Sequence, residues 1–157
     1  MTTNAAVVHV AEVRPGLVPV KLQPNLSAIE DTALAPRFAR AARTTLVAGG
    51  ALWAIRDGAV LVGALQISLL KPEVNLAHAS QRTAIVTQIL PGSYETITVD
   101  GTSVAASATA DETFFLWFSR GMFEVLQVKS GTGVSAESVV TQLISYQKSI
   151  GALQPIR

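Results

Sequence analysis

The chain has 157 residues, a net charge of +1 from 12 basic and 11 acidic side chains, and no cysteine. A domain of this length buries roughly 70% of the surface its unfolded chain exposes. The missing cysteine excludes disulfides and thiolate metal sites, and the balanced charge argues against a protein that tracks nucleic-acid phosphates. Charged residues are 15% of the chain and hydrophobic residues 49%, against about 25% charged in ordinary soluble domains. The surplus apolar surface implies an oligomer, a partner interface or an apolar pocket.

Residues 1–25 read as an extended apolar arm. Val7, Val8, Val10, Val13, Val18, Val20 and Leu22 lie among Pro15, Pro19 and Pro24, and three prolines forbid a helix and confine any strand to an edge. Val18, Val20 and Leu22 alternate with Pro19, Lys21 and Gln23, so the arm has one apolar face. It can pack on its own domain or add a strand to a neighbouring subunit. Met1 to Val13 has no basic start followed by an unbroken apolar core, so no secretory signal is read there. The best transmembrane candidate, Ala59 to Leu70, is too short and holds Gln66 and Ser68.

Residues 26–157 read as a single α+β domain. Ser27-Ala28-Ile29-Glu30 has capping-box spacing, so a helix is expected from there, restarted or kinked at Pro36 and ended by Gly49-Gly50. Arg37, Arg40 and Arg43 would share one stripe of it, a solvated face or a peripheral contact with anionic lipid. Asp57-Gly58 marks a hairpin, setting Ile55 against Val60 and Trp53 against Val62. Asn75 can cap a helix through Leu90, with Ile85, Val86, Ile89 and Leu90 as its apolar stripe. A second hairpin turns at Asp100-Gly101, pairing Val99 with Thr102 and Ile97 with Val104. Its other face carries Thr96, Thr98, Ser103 and Ala105, small and polar, so it belongs near a wet edge.

The most aromatic stretch, TFFLWFSRGMFEVLQVKSG from Thr113 to Gly131, turns at Arg120-Gly121. A two-residue loop pairs Ser119 with Met122, Trp117 with Glu124, Phe115 with Leu126 and Thr113 with Val128 on one face. On the other it pairs Phe118 with Phe123, Leu116 with Val125 and Phe114 with Gln127. Both faces are mostly apolar, so these strands should be central and covered on both sides. Ser135 can cap a last helix carrying Val139, Val140, Leu143 and Ile144 and ending at Gly151.

Signs of chemistry are sparse. His9 and His78 sit in no ligand spacing, and no nucleophile elbow, phosphate loop or dinucleotide fingerprint occurs. No catalytic residue, metal site or cofactor is assigned, and a non-enzyme is expected. Glu124 is the one carboxylate placed inside an apolar strand, where burial would raise its pKa. With Trp53, Phe115, Trp117 and Met122 it is a candidate for an apolar pocket.

The run from Tyr94-Glu95-Thr96 through DGTSVAASA, DETFFLWFSRGMFEVLQVKSG and AESVVTQLISYQ resembles the second half of PsbP-like domains and of small exported actinobacterial lipoprotein domains. The likeness lies in element order and hydrophobic pattern, and the apolar arm departs from it. It implies a non-catalytic accessory or binding role and transfers no site residue. The Ala, Val, Arg and Gly bias fits a bacterial source of high GC content. A cytoplasmic protein and an exported domain trimmed of its targeting segment would read alike.

The expected architecture is therefore α+β: an antiparallel sheet of three hairpins with helices on both faces, an α/β/α sandwich, plus the extended N-terminal arm. The expected function is a non-enzymatic accessory or assembly subunit, a homo-oligomer or partner-binding protein whose arm engages a neighbour. The alternative is a small binding protein holding an apolar or lipid-like ligand between helix and sheet.

Overall fold

The computed structural model describes residues 13–34 and 46–154, and its strands form from β-branched and aromatic runs bounded by glycine-bearing turns. They are β1 (Lys21–Leu22), β2 (Leu26–Glu30), β3 (Val47–Asp57), β4 (Val60–Leu70), β5 (Glu95–Val99), β6 (Thr102–Ala108), β7 (Glu112–Ser119) and β8 (Met122–Lys129). Among the described residues these form one antiparallel sheet in the order β1-β2-β3-β4-β8-β7-β6-β5. Each half, β1 to β4 and β5 to β8, is a meander of sequence neighbours. Only the β4–β8 seam, from Gly63 opposite Val128 to Leu69 opposite Met122, joins distant parts of the chain.

Two helices accompany the sheet, α1 (Ala79–Ile89) and α2 (Ala136–Ser149). Helix α2 opens where Ser135 Oγ accepts from the Ser138 N–H at 3.2 Å. It buries Val139, Val140, Leu143 and Ile144 against Phe115, Trp117, Leu126 and Val128. Each such side chain contributes about 1.5–3 kcal/mol relative to an exposed one. Helix α1 lays Ile85, Val86 and Ile89, with Leu90 beyond its end, on Phe114, Leu116, Phe123 and Val125. The β7–β8 register is the one expected from Arg120-Gly121, from Ser119 opposite Met122 out to Glu112 opposite Lys129. The β5–β6 register also agrees, with Ile97 opposite Val104 and β5 at the sheet edge. That turn holds both Asp100 and Gly101 at positive φ, 46° and 77°, the pairing a type I′ loop demands.

The α/β/α sandwich does not form. Among the described residues 44% are strand and 21% helical, so these residues form mostly one large antiparallel sheet accompanied by only two helices. The misreading begins at Ser27 to Glu30. Their capping-box spacing is incidental, because Leu26 and Ala28 are buried, Ile29 and Glu30 are exposed, and the segment pairs with β3 as a strand. Period two outweighed a four-residue cap signature. Arg37, Arg40 and Arg43 lie outside the described residues.

The β3–β4 register also differs from expectation. The loop is Gly58-Ala59, with Asp57 opposite Val60, and a bulge then sets Ile55 opposite Gly63 and Trp53 opposite Leu65. Positive φ at Gly58, 60°, places glycine first in the loop, as a type II′ turn needs. Reading it as the second loop residue shifted every partner.

Candidate functional site

Glu124 is 1% exposed on β8, between Ile67 of β4 and Trp117 of β7. Trp117 Nε1 donates to its Oε2 at 3.0 Å, and Gln147 Nε2 of α2 donates to its Oε1 at 2.8 Å. Gln147 Nε2 also donates to the Leu17 carbonyl at 3.3 Å. Burial pushes the carboxyl from 4.5 up to about 7, while the hydrogen bonds from Gln147 and Trp117 pull it down. Both carboxyl oxygens face protein donors. The cluster ties arm, helix and sheet together and leaves no side of the acid open to a substrate.

The other pocket candidates share that surrounding. Phe115, Trp117 and Met122 are buried and Trp53 packs against the same cluster. In the arm, Leu22 belongs to this core, and Val13 and Val18 pack on it half-buried. Tyr146 Oη donates to the Gly16 carbonyl at 3.0 Å. Val20 alone of the described arm valines stands out, 61% exposed. Val7, Val8 and Val10 lie outside the described residues.

A groove of about 550 Å³ lies on the other side of the sheet, between α1, strands β5 to β7 and the segment after α2. Its origin is the small-residue face of the β5–β6 hairpin. Thr96, Ala105 and Leu116 stand side by side across β5, β6 and β7. Helix α1 covers the large side chains of β7 and β8, and over the threonine, serine and alanine of the outer strands it has nothing bulky to meet. Val86, Ala105, Leu116 and Phe118 make the floor. Tyr94, Thr96, Thr102, Ser103 and Gln154 bring hydroxyl and amide groups, and Arg82 brings the only charge among the lining residues.

A larger concavity of about 630 Å³ is formed by Ala110 to Glu112 and Lys129 to Gly131. It is lined by turn residues and the two strand ends Glu112 and Lys129, with Ala110 its only apolar side chain besides glycine. The groove under α1 has floor, rim and volume together, and lies within the roughly 300–1,000 Å³ usual for small-ligand sites. It has hydroxyls but no carboxylate or imidazole among its lining residues to take a proton from them.

No protein-family model, curated protein or solved structure matches the chain. Among the described residues, no group of three or more acidic or histidine side chains could hold a metal, and no helix is long and apolar enough to cross a membrane.

The sequence pointed to the small, polar face of Thr96, Thr98, Ser103 and Ala105 but assigned it only to a wet edge. The signal missed was its combination with a neighbouring covered face, Leu116 and Phe118. Arg82 was legible only as one more residue of a helix, since its orientation comes from carbonyls outside that helix.

Proposed function

We propose that this protein is a small non-enzymatic binding protein that holds an apolar-bodied ligand between α1 and strands β5 to β7. The observation that carries the reading is the groove itself: an apolar floor of Val86, Ala105, Leu116 and Phe118 under a hydroxyl-rich rim. Burying a ligand there removes apolar area from water on both partners, the general source of small-ligand affinity. The test is titration with the apolar dye Nile red, using the wild type and a groove-filling variant, Ser103→Trp, at an exposed lining residue. Saturable binding by the wild type that the filled variant loses supports the reading. Dye binding that Ser103→Trp leaves unchanged contradicts it.

A second reading, an accessory or assembly subunit whose arm engages a neighbour, is favoured by the exposure of Val20 between Leu17 and Leu22, which are buried. Under this reading Val20→Asp, at an exposed position outside the core, should lose oligomeric mass in light scattering relative to the wild type. Equal masses would count against the arm.

A further inference from the structure

Resting on the groove as the binding site, we infer that its ligand is a singly anionic amphiphile, with a carboxylate against Arg82 and a hydrocarbon body over Leu116 and Phe118. Arg82 is partly buried at the rim. Its Nη1 donates to the carbonyls of Leu76 at 2.5 Å and Ala77 at 3.3 Å. Those two acceptors lie in the turn before α1, and they hold the guanidinium in place. A guanidinium has five N–H donors, and the described residues supply acceptors to Nη1 alone. The two ion pairs among the described residues are Arg56 with Asp31 and Lys148 with Asp100. Arg82, which lines the groove, is therefore a cation with a fixed head group and no carboxylate partner among the described residues.

The surroundings reinforce that charge. The first turn of α1 carries no acidic residue, so no carboxylate of that turn offsets the partial positive charge of the helix end. No lining residue is acidic. A planar fork of N–H donors suits a carboxylate, and hydroxyls of Thr96 and Ser103 can meet a second polar atom of the head group. The floor has no polar atom to offer, so the rest of the ligand has to be apolar. A fully polar anion would leave the floor wet, and a neutral hydrocarbon would leave the cation unused.

The test compares decanoate with decanol by isothermal titration calorimetry on the full chain, below micelle-forming concentrations, and repeats both on Arg82→Gln and Ser103→Trp. Decanoate should bind the wild type about tenfold more tightly than decanol, the size of one charge-assisted hydrogen bond. Arg82→Gln should bring decanoate down to the decanol affinity, and Ser103→Trp should block both. The wild-type comparison stands even if Arg82→Gln folds poorly, and Arg82→Lys keeps the charge while losing the fork. Equal affinities for the two probes, both blocked by Ser103→Trp, would overturn the anion assignment and leave the groove reading intact. No binding of either probe, or binding indifferent to Ser103→Trp, would overturn both.

Discussion

Replacing Glu124 by Gln should change how stability depends on pH more than it changes the fold. The acid is fully enclosed by β4, β7, α2 and the Leu17 segment, and burial raises it from 4.5 to about 7. A carboxyl raised on folding holds its proton more tightly in the native chain than in the unfolded one. Its stabilising effect is therefore complete below about pH 4.5 and is lost as pH rises toward 7. At 1.36 kcal/mol per pH unit the loss across that window is about 3 kcal/mol. The Gln variant stays neutral throughout. It keeps the acceptor for one donor but turns an N–H₂ toward the other, a fixed cost of about 1–3 kcal/mol.

Urea unfolding of both proteins at several pH values from 4.5 to 8.5 separates the two effects. The variant should be the weaker protein at pH 4.5 and should gain on the wild type by about 3 kcal/mol on the way to pH 8.5. Taking the difference between the two proteins cancels titrations they share. A difference that stays flat over the range would mean that Glu124 titrates alike in the folded and unfolded states.

Other outcomes follow from particular contacts. A side chain added at Gly63 would meet the Gln127 carbonyl oxygen across the β4–β8 seam, so Gly63→Ala should lower stability by about 1–3 kcal/mol in thermal melts. Ser135→Ala removes the acceptor that opens α2 and should cost about 1 kcal/mol, with Ser135→Gly costing only a few tenths, both read from urea midpoints. Asp100 is held below its ordinary pKa first by the Ser145 hydroxyl and then by Lys148. Ser145→Ala should raise the Asp100 midpoint in a carboxyl NMR titration, and an unchanged midpoint would mean that the hydroxyl does not act on it.

Local signals in the chain were legible where structure depends on near neighbours. The Arg120-Gly121 and Asp100-Gly101 loops set their registers correctly because a tight turn dictates pairing outward from itself. Ser135 and the stripe from Val139 to Ile144 likewise announced α2. The failures share a different cause. At Gly58 the same glycine fits either loop position, and the bulge near Val62 depends on β4 lying between β3 and β8. At Ser27 to Glu30 a capping box competed with strand pairing to β3, and pairing won.

The candidate site was legible only in part. Burial of Glu124 could be read from its strand neighbours, but Gln147 and the Leu17 carbonyl come from residues distant in the chain. The groove needs Arg82, Thr83 and Val86 of α1 to face the small side chains of β5 and β6. That depends on how the second meander docks along β4, which periodicity alone does not encode.

Ligand binding under α1 is tested without any variant by amide chemical-shift mapping with decanoate. Shifts should concentrate at Arg82, Thr83, Thr96, Ser103, Phe118 and Gln154, all lining the groove. Shifts centred instead on Trp117, Glu124 and Gln147, on the opposite side of the sheet, would contradict it.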